Sequence, residues 1–179
     1  MESLNKIKNS LAFASTNYIP PIHQWNPLLS GDIDIVIKEN GDWYHDGIKF
    51  TRQSLIKLFS SLLKKENDDY FLVTPVEKWR ITVECAPLLV VDMEIIDSTS
   101  EKEQMIQFKT STDDIFHLDS NHPLQISHTR GEEIRPLVCV RSNLEALIHR
   151  NIFYQLAEMA THVNGSWGVW SDGVFFKLE

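Results

Sequence analysis

Four of the six arginines, Arg130, Arg135, Arg141 and Arg150, fall within 21 residues of a chain that carries 25 acidic against 17 basic residues. A guanidinium fork matches carboxylate or phosphate, and a helix N-terminus adds unpaired N–H groups with about half a positive charge. Ser142 followed by Glu145 reads as a capping box, which places Arg141, Ser142 and Asn143 at a helix start with Arg150 further along it. These are the components of a pocket for a small anion. They are equally the components of plain structure, with Arg150 paired to an acid such as Glu145 and Ser142 capping without a ligand. Trp79, Tyr154 and Trp170 are open to the same two readings, stacking faces or core.

Other chemistry finds less support. Among seven glycines there is no GxxxxGK[ST] and no GxGxxG, so the two phosphate loops that a sequence can announce are absent. His117, His122 and His128 match no metal-ligand spacing. Asp113-Asp114 and Glu132-Glu133 sit in turn-like polar stretches where acids are commonly solvated, and Gly165-Ser166 and Trp170-Ser171 lack the context of a nucleophile elbow. The residues therefore assign no catalytic, cofactor or metal position, and the chain leans away from being an enzyme.

The elements that must position these residues follow from periodicity. Residues 2–14 suit a short helix, and Pro20, Pro21 and Pro27 make the stretch after it a linker. Alternation through Ile33, Ile35 and Ile37, then Asn40-Gly41 and Asp46-Gly47, predicts three short antiparallel strands. Thr51 then caps a helix through Leu55, Leu58, Phe59, Leu62 and Leu63, with Lys64 and Lys65 at its end. From Tyr70 to Val140 about six or seven strands follow in series. Leu144, Ile148, Ile152, Leu156 and Met159 predict a long helix over 142–162, and a hairpin over 167–178 ends the chain. The expected class is α+β and mostly antiparallel, with a linker region 1–27, a small unit 28–70 and a larger unit 71–179 whose bent sheet or partial barrel the long helix closes. An internal echo, Trp43…Asp46-Gly47…Phe50 against Trp170…Asp172-Gly173…Phe176, reads as duplication or as repeated hairpin chemistry.

Composition bounds the function. At 179 residues the chain holds one or two domains, and a net charge of −8 has the wrong sign for bulk nucleic-acid binding. The longest apolar run, Ala86 to Val91, is far below the ~20 residues of a membrane span, and the N-terminal stretch is too short in apolar residues for a secretory signal. Cys85 and Cys139, isolated among strand-like residues, suit a reducing compartment as buried small hydrophobes. The expected location is the cytoplasm.

Thr74-Pro-Val-Glu-Lys78, Val83-Glu-Cys-Ala-Pro87, Asp92-Met-Glu94, His122-Pro-Leu124, Val140-Arg-Ser-Asn-Leu-Glu-Ala-Leu-Ile148 and Gly168-Val-Trp-Ser-Asp-Gly-Val-Phe-Phe176 occur together and in order. Through them the chain, from about Trp25 to Leu178, resembles a bacterial family labelled domain of unknown function 1285. The resemblance implies a duplicated core, a C-terminal part like a pleckstrin-homology fold, and a groove between the halves that holds a nucleotide-like ligand in signalling. It makes Glu77 and Lys78 candidates for that groove. Departures from the family pattern are Cys85 for Asp, Asn143 for Gly, and Lys109 with Ser111 for Arg and Asn. The expected ligand contacts are Arg141, Ser142, Asn143, Arg150, Glu77, Lys78, Lys109 and Trp170. The leading expectation is a non-enzymatic sensor or adaptor binding a small anion, with no membrane and no bulk nucleic acid among its partners. An enzyme acting on such a ligand, and an interaction module offering its acidic stretch Asp92 to Asp119 to a basic protein, are the alternatives.

Overall fold

In a computed structural model, which describes residues 20–96, 100, 102–128 and 134–179, the chain divides into two units, the first ending at Glu84 and the second holding Glu39–Gly41 with Cys85–Glu179. The helix expected over 2–14, and Arg130, Glu132 and Glu133, lie outside the described residues. A short 3-10 turn, Ile22–Gln24, interrupts the proline-rich linker.

The first unit is built on a six-stranded sheet of β1 (Leu29–Ile37), β2 (Trp43–His45), β3 (Ile48–Lys49), β4 (Leu63–Glu66), β5 (Asp69–Val73) and β6 (Lys78–Val83), in the order β3-β2-β1-β6-β5-β4. Every neighbouring pair is antiparallel except β1 with β6, which runs parallel. Alternation carries Ile35 and Ile37 inward, and Trp43, Leu63, Leu72 and Ile81 join them. Burying each such side chain contributes about 1.5 to 3 kcal/mol. Helix α1 (Gln53–Ser60) adds Phe59, whose ring meets Phe50. This helix is shorter than its leucine spacing predicts. It starts after Arg52 with no side-chain cap, and Leu62 and Leu63 follow it as a turn and the first residue of β4, so Lys64 and Lys65 are strand residues. The hairpin β4–β5 recruits them because Asn67, at φ 55, turns the chain back. Strands β5 and β6 also carry the unit to Glu84, past the boundary expected near residue 70.

The second unit repeats the plan. Strands β7 (Leu88–Ile96), β8 (Met105–Thr110), β9 (Ile115–His117), β10 (Leu124–His128), β11 (Ile134–Arg141) and β12 (Leu144–Ile148) form a sheet in the order β10-β11-β12-β7-β8-β9, curled into a half-barrel, with β12 and β7 parallel. Among the described residues between Tyr70 and Val140 there are seven strands, β5 to β11, within the expected number. Helix α2 (Arg150–Glu158) packs on β7 and on a three-stranded sheet of β13 (Thr161–Val163), β14 (Ser166–Ser171) and β15 (Val174–Lys177). The fold is thus α+β in two similar sheet units.

The long helix expected over 142–162 is instead a strand and a nine-residue helix separated by His149. Leu144, Ala146 and Ile148 are buried while Glu145 and Leu147 are half-buried, the period of a strand; β12 lies between β11 and β7, where both its edges find partners. The echoed hairpins do form as expected, each with a positive-φ pair: Asp46 at 50° and Gly47 at 74°, Asp172 at 49° and Gly173 at 71°. Their surroundings differ. Trp43 is 1% exposed in the first six-stranded sheet, whereas Trp170 is half-buried in the three-stranded one.

Candidate functional site

Within the second unit the sheet and α2 enclose an open cleft of about 590 Å³. Leu89 on β7, Pro136 on β11 and Leu147 on β12 give it an apolar floor, and Phe153 and Tyr154 on α2 an aromatic wall. Because α2 begins one residue after β12, its first residue, Arg150, is delivered to the rim. Tyr154 stands at i+4 on the same helix face. The Arg150 Nε donates to the Tyr154 hydroxyl at 2.6 Å, and the guanidinium lies 5.3 Å from the ring centre. His149 caps the helix: its backbone N–H donates to the Val90 carbonyl at 3.0 Å and its Nδ1 accepts from the Asn151 N–H at 3.3 Å. Arg135 and Glu39 also line the cleft and pair with each other: Nη2 donates to Oε2 at 3.2 Å, and Nε lies 3.1 Å from Oε1 without the alignment of a hydrogen bond.

Of the eight expected ligand residues, Arg150 alone lines this cleft. Arg141, Ser142 and Asn143 do not start a helix but form the tight turn between β11 and β12, with Ser142 at φ 52. Arg141 donates through Nη1 to Asp114 Oδ1, and Asp114 Oδ2 also accepts from the hydroxyls of Thr110 (3.0 Å) and Thr112 (2.8 Å). Lys109 on β8 pairs with Asp113 at 3.3 Å. Trp170 packs on Phe175 beneath Lys102, and its carbonyl accepts from Gln104 Nε2 at 2.9 Å. Glu77 and Lys78 belong to the first unit. There Thr74 Oγ1 accepts from the Glu77 N–H at 3.0 Å, and Lys78 donates to Glu66 at 2.7 Å. That bond, followed by one from Lys64 and against the cost of burial, holds the Glu66 carboxyl below its usual range. The anion pocket expected at one helix start is therefore replaced by two arginines in different roles: Arg141 inside an internal network, Arg150 at a cleft.

The rest of the cleft was only partly visible in the sequence. Arg135 belongs to the arginine cluster and Tyr154 to the stacking candidates, but Glu39, Asn40, His149 and Phe153 carry no pattern that separates them from turn and helix residues. The acidic stretch is also dispersed. Asp92 and Glu94 stand on the exposed side of β7, Asp114 is engaged by Arg141, and Asp119 accepts from the His122 ring at 2.9 Å and from the backbone N–H groups of Asn121 and His122. Burial pushes the Asp119 carboxyl up, and these hydrogen bonds, the His122 ring first, outweigh it and hold the carboxyl below its usual range. Burial, and then Glu145, push the Cys139 thiol up, so it stays protonated. Among the described residues no group of three or more His, Cys, Asp and Glu is placed to hold a metal, and no helix is long and apolar enough to cross a membrane.

Fold and cleft together define a two-unit α+β protein of paired six-stranded mixed sheets, the second carrying a small-molecule-sized cleft beside its helix. Residues 20–86 match the family model described as "Domain of unknown function (DUF1285), N-terminal domain", and residues 87–178 match "Protein of unknown function (DUF1285), C-terminal domain". The chain belongs to the DUF1285 family, and the junction of the two matches falls two residues beyond the division of the units at Glu84. A crystal structure of a DUF1285 family protein from Silicibacter pomeroyi DSS-3 is similar at 38% identity and a TM-score of 0.88, over 95% of this chain and 92% of that one. Another, from Shewanella baltica OS155, is similar at 30% identity and a TM-score of 0.56, over 70% of this chain and 91% of that one. No curated protein matches the chain.

Proposed function

We propose that the chain is a cytoplasmic sensor or adaptor that binds a small nucleotide-like anion in the cleft of its second unit. The observation that carries this reading is the Arg150–Tyr154 pair at the rim of an apolar cleft. A volume of about 590 Å³ suits a mononucleotide-sized molecule, and a few polar groups around apolar walls are what small-molecule sites use for orientation. Arg150 gives one N–H to Tyr154 and keeps donors of its fork for a phosphate or carboxylate, while the Tyr154 and Phe153 rings offer surfaces for a base. With a net charge of −8 on the chain, Arg150, the single arginine at the cleft left without a carboxylate partner among the described residues, favours a small anion over a long polyanion. The family resemblance supplies the signalling role. Binding needs only this complementarity, whereas a reaction needs an acid, base or nucleophile aimed at the cleft, and His149 has its Nδ1 committed to the helix cap.

The test is a thermal-shift and calorimetric series with cyclic AMP, AMP and uncharged adenosine on the wild type and on Arg150→Ala. The expected result is stabilisation by the nucleotides, with Arg150→Ala weakening it by about 1.5 to 3 kcal/mol, or about 10- to 150-fold in Kd. Nucleotides that fail to stabilise the wild type, or that bind Arg150→Ala equally well, overturn the reading.

A further inference from the structure

We infer that Glu39 sets the charge of the ligand that the cleft accepts, selecting a monoanion with a flat ring over a polyphosphate; this rests on the reading of the cleft as an anion site. Two arginines line the cleft, but they are not equivalent. Arg135 is paired with Glu39: its Nη2 donates to Oε2 at 3.2 Å, and its Nε lies 3.1 Å from Oε1 without the alignment of a hydrogen bond. Arg150 has the Tyr154 hydroxyl and ring as its partners, and among the described residues it forms no ion pair with a carboxylate. The pair and the single arginine sum to one positive charge. Glu39 and Arg135 are 41% and 29% exposed in their side chains, so the carboxylate is within reach of whatever occupies the cleft.

An anion seated on Arg150 therefore meets one uncompensated cation and, in the same cleft lining, a carboxylate already paired with the other arginine. A second or third negative charge on the ligand has to lie near Glu39 or displace it from Arg135. A repulsive element of this kind sets specificity by penalising the wrong ligand, as an added attraction does by favouring the right one. The matching ligand chemistry is one negative group, either a phosphodiester or a carboxylate, joined to a ring that lies against Tyr154 and Phe153. Glu39 acts here as a positioning and specificity residue, touching Arg135 rather than an atom that reacts.

Calorimetric titration of the full chain with four probes separates the possibilities: cyclic AMP as phosphodiester, indole-3-acetate as carboxylate, AMP, and ATP. Wild type is expected to bind one or both monoanions at least tenfold more tightly than ATP. Glu39→Gln keeps an acceptor for Arg135 but removes the charge, and it should narrow or invert that ratio by tenfold or more, chiefly by tightening ATP. The wild-type ranking tests the inference even where the variant does not fold, which a melt checks. ATP bound by wild type as tightly as the monoanions, or a variant that changes all four probes alike, overturns the role of Glu39 and leaves the cleft as an anion site. Binding of none of the four overturns both.

Discussion

Arg141→Ala tests whether the arginine nearest the expected ligand site is a structural residue. Arg141 and Asp114 are 18% and 15% exposed in their side chains, so the pair is mostly withdrawn from water. Breaking a buried pair by removing one partner costs about 3 to 5 kcal/mol, because the remaining charge is stranded. Two features reduce that figure here: some water reaches the pair, and Asp114 keeps the hydroxyls of Thr110 and Thr112 as donors. The expected loss is about 2 to 3 kcal/mol, and at about 2 to 4 °C per kcal/mol for a chain of this size, Tm falls by about 4 to 12 °C. Urea denaturation and thermal melting of the ligand-free protein measure it. Arg141→Lys, which keeps the charge but not the fork, should lose less. A cycle with Asp114→Asn should return a coupling of about 1 to 2 kcal/mol between the two positions. A change below about 0.5 kcal/mol in Arg141→Ala would refute the reasoning and release Arg141 for a ligand.

Two further substitutions probe other parts of the second unit. A Cβ on Gly168 would lie 2.3 Å from the Phe176 carbonyl oxygen and 2.6 Å from the Phe175 ring, so Gly168→Ala should destabilise by about 2 to 3 kcal/mol in urea denaturation; no measurable loss would contradict this close approach. Asp119→Asn keeps the backbone acceptor but not the charge facing His122, for a loss of about 0.5 to 1 kcal/mol near pH 7. Because the folded-state carboxyl is held low, its contribution is present above the ordinary Asp value of about 3.9 and fades as pH falls through the folded value. Stability measured against pH should show the variant converging on wild type at the acid end, and a constant offset there would exclude the mechanism.

What the sequence made legible follows from how local each signal is. The strand series and the two Asp-Gly hairpins, the second of which ends the chain's strands, depend on residues within a few positions of one another, and they are where periodicity and turn chemistry place them. Residues 142–162 carry an ambiguous pattern: Leu144, Ile148, Ile152 and Leu156 recur every four positions, a spacing that satisfies a helix and also, being even, one face of a strand. Only the alternation at Ala146, and the slot between β11 and β7 that β12 fills, distinguish the two. Once Leu144–Ile148 is a strand, Ser142 becomes a hairpin residue at positive φ, Arg141 is carried away from α2, and the anion site loses its helix start. The cleft could not be read in advance for the same reason. Glu39 and Arg135 are 96 positions apart, and no local pattern announces their pairing.

The two six-stranded sheets share one plan, but the likeness is not where the repeated words of the sequence lie. In each six-stranded sheet two three-stranded meanders are joined by parallel pairing of the first strand with the last, β1 with β6 and β7 with β12. Under that correspondence the counterpart of the Trp43 hairpin, β2–β3, is β8–β9, whose turn runs through Thr110 to Asp114 and contains no Asp-Gly. The hairpin that does share the Trp and Asp-Gly pattern, β14–β15, belongs to the three-stranded sheet and has no counterpart among the described residues of the first unit. Asp-Gly recurs because a two-residue hairpin turn with both residues at positive φ accepts few residue pairs, so the same words arise wherever such a turn is made. Strand order is specified differently, by which faces are buried and which edges find partners, and many sequences meet that requirement. The Thr110–Asp114 turn occupies the place of Asp46-Gly47 and has taken another chemistry, two threonine hydroxyls and an arginine closing on one carboxylate. A shared strand plan therefore does not require a shared motif: at the place of the Asp46-Gly47 turn the second unit carries an internal ion pair instead.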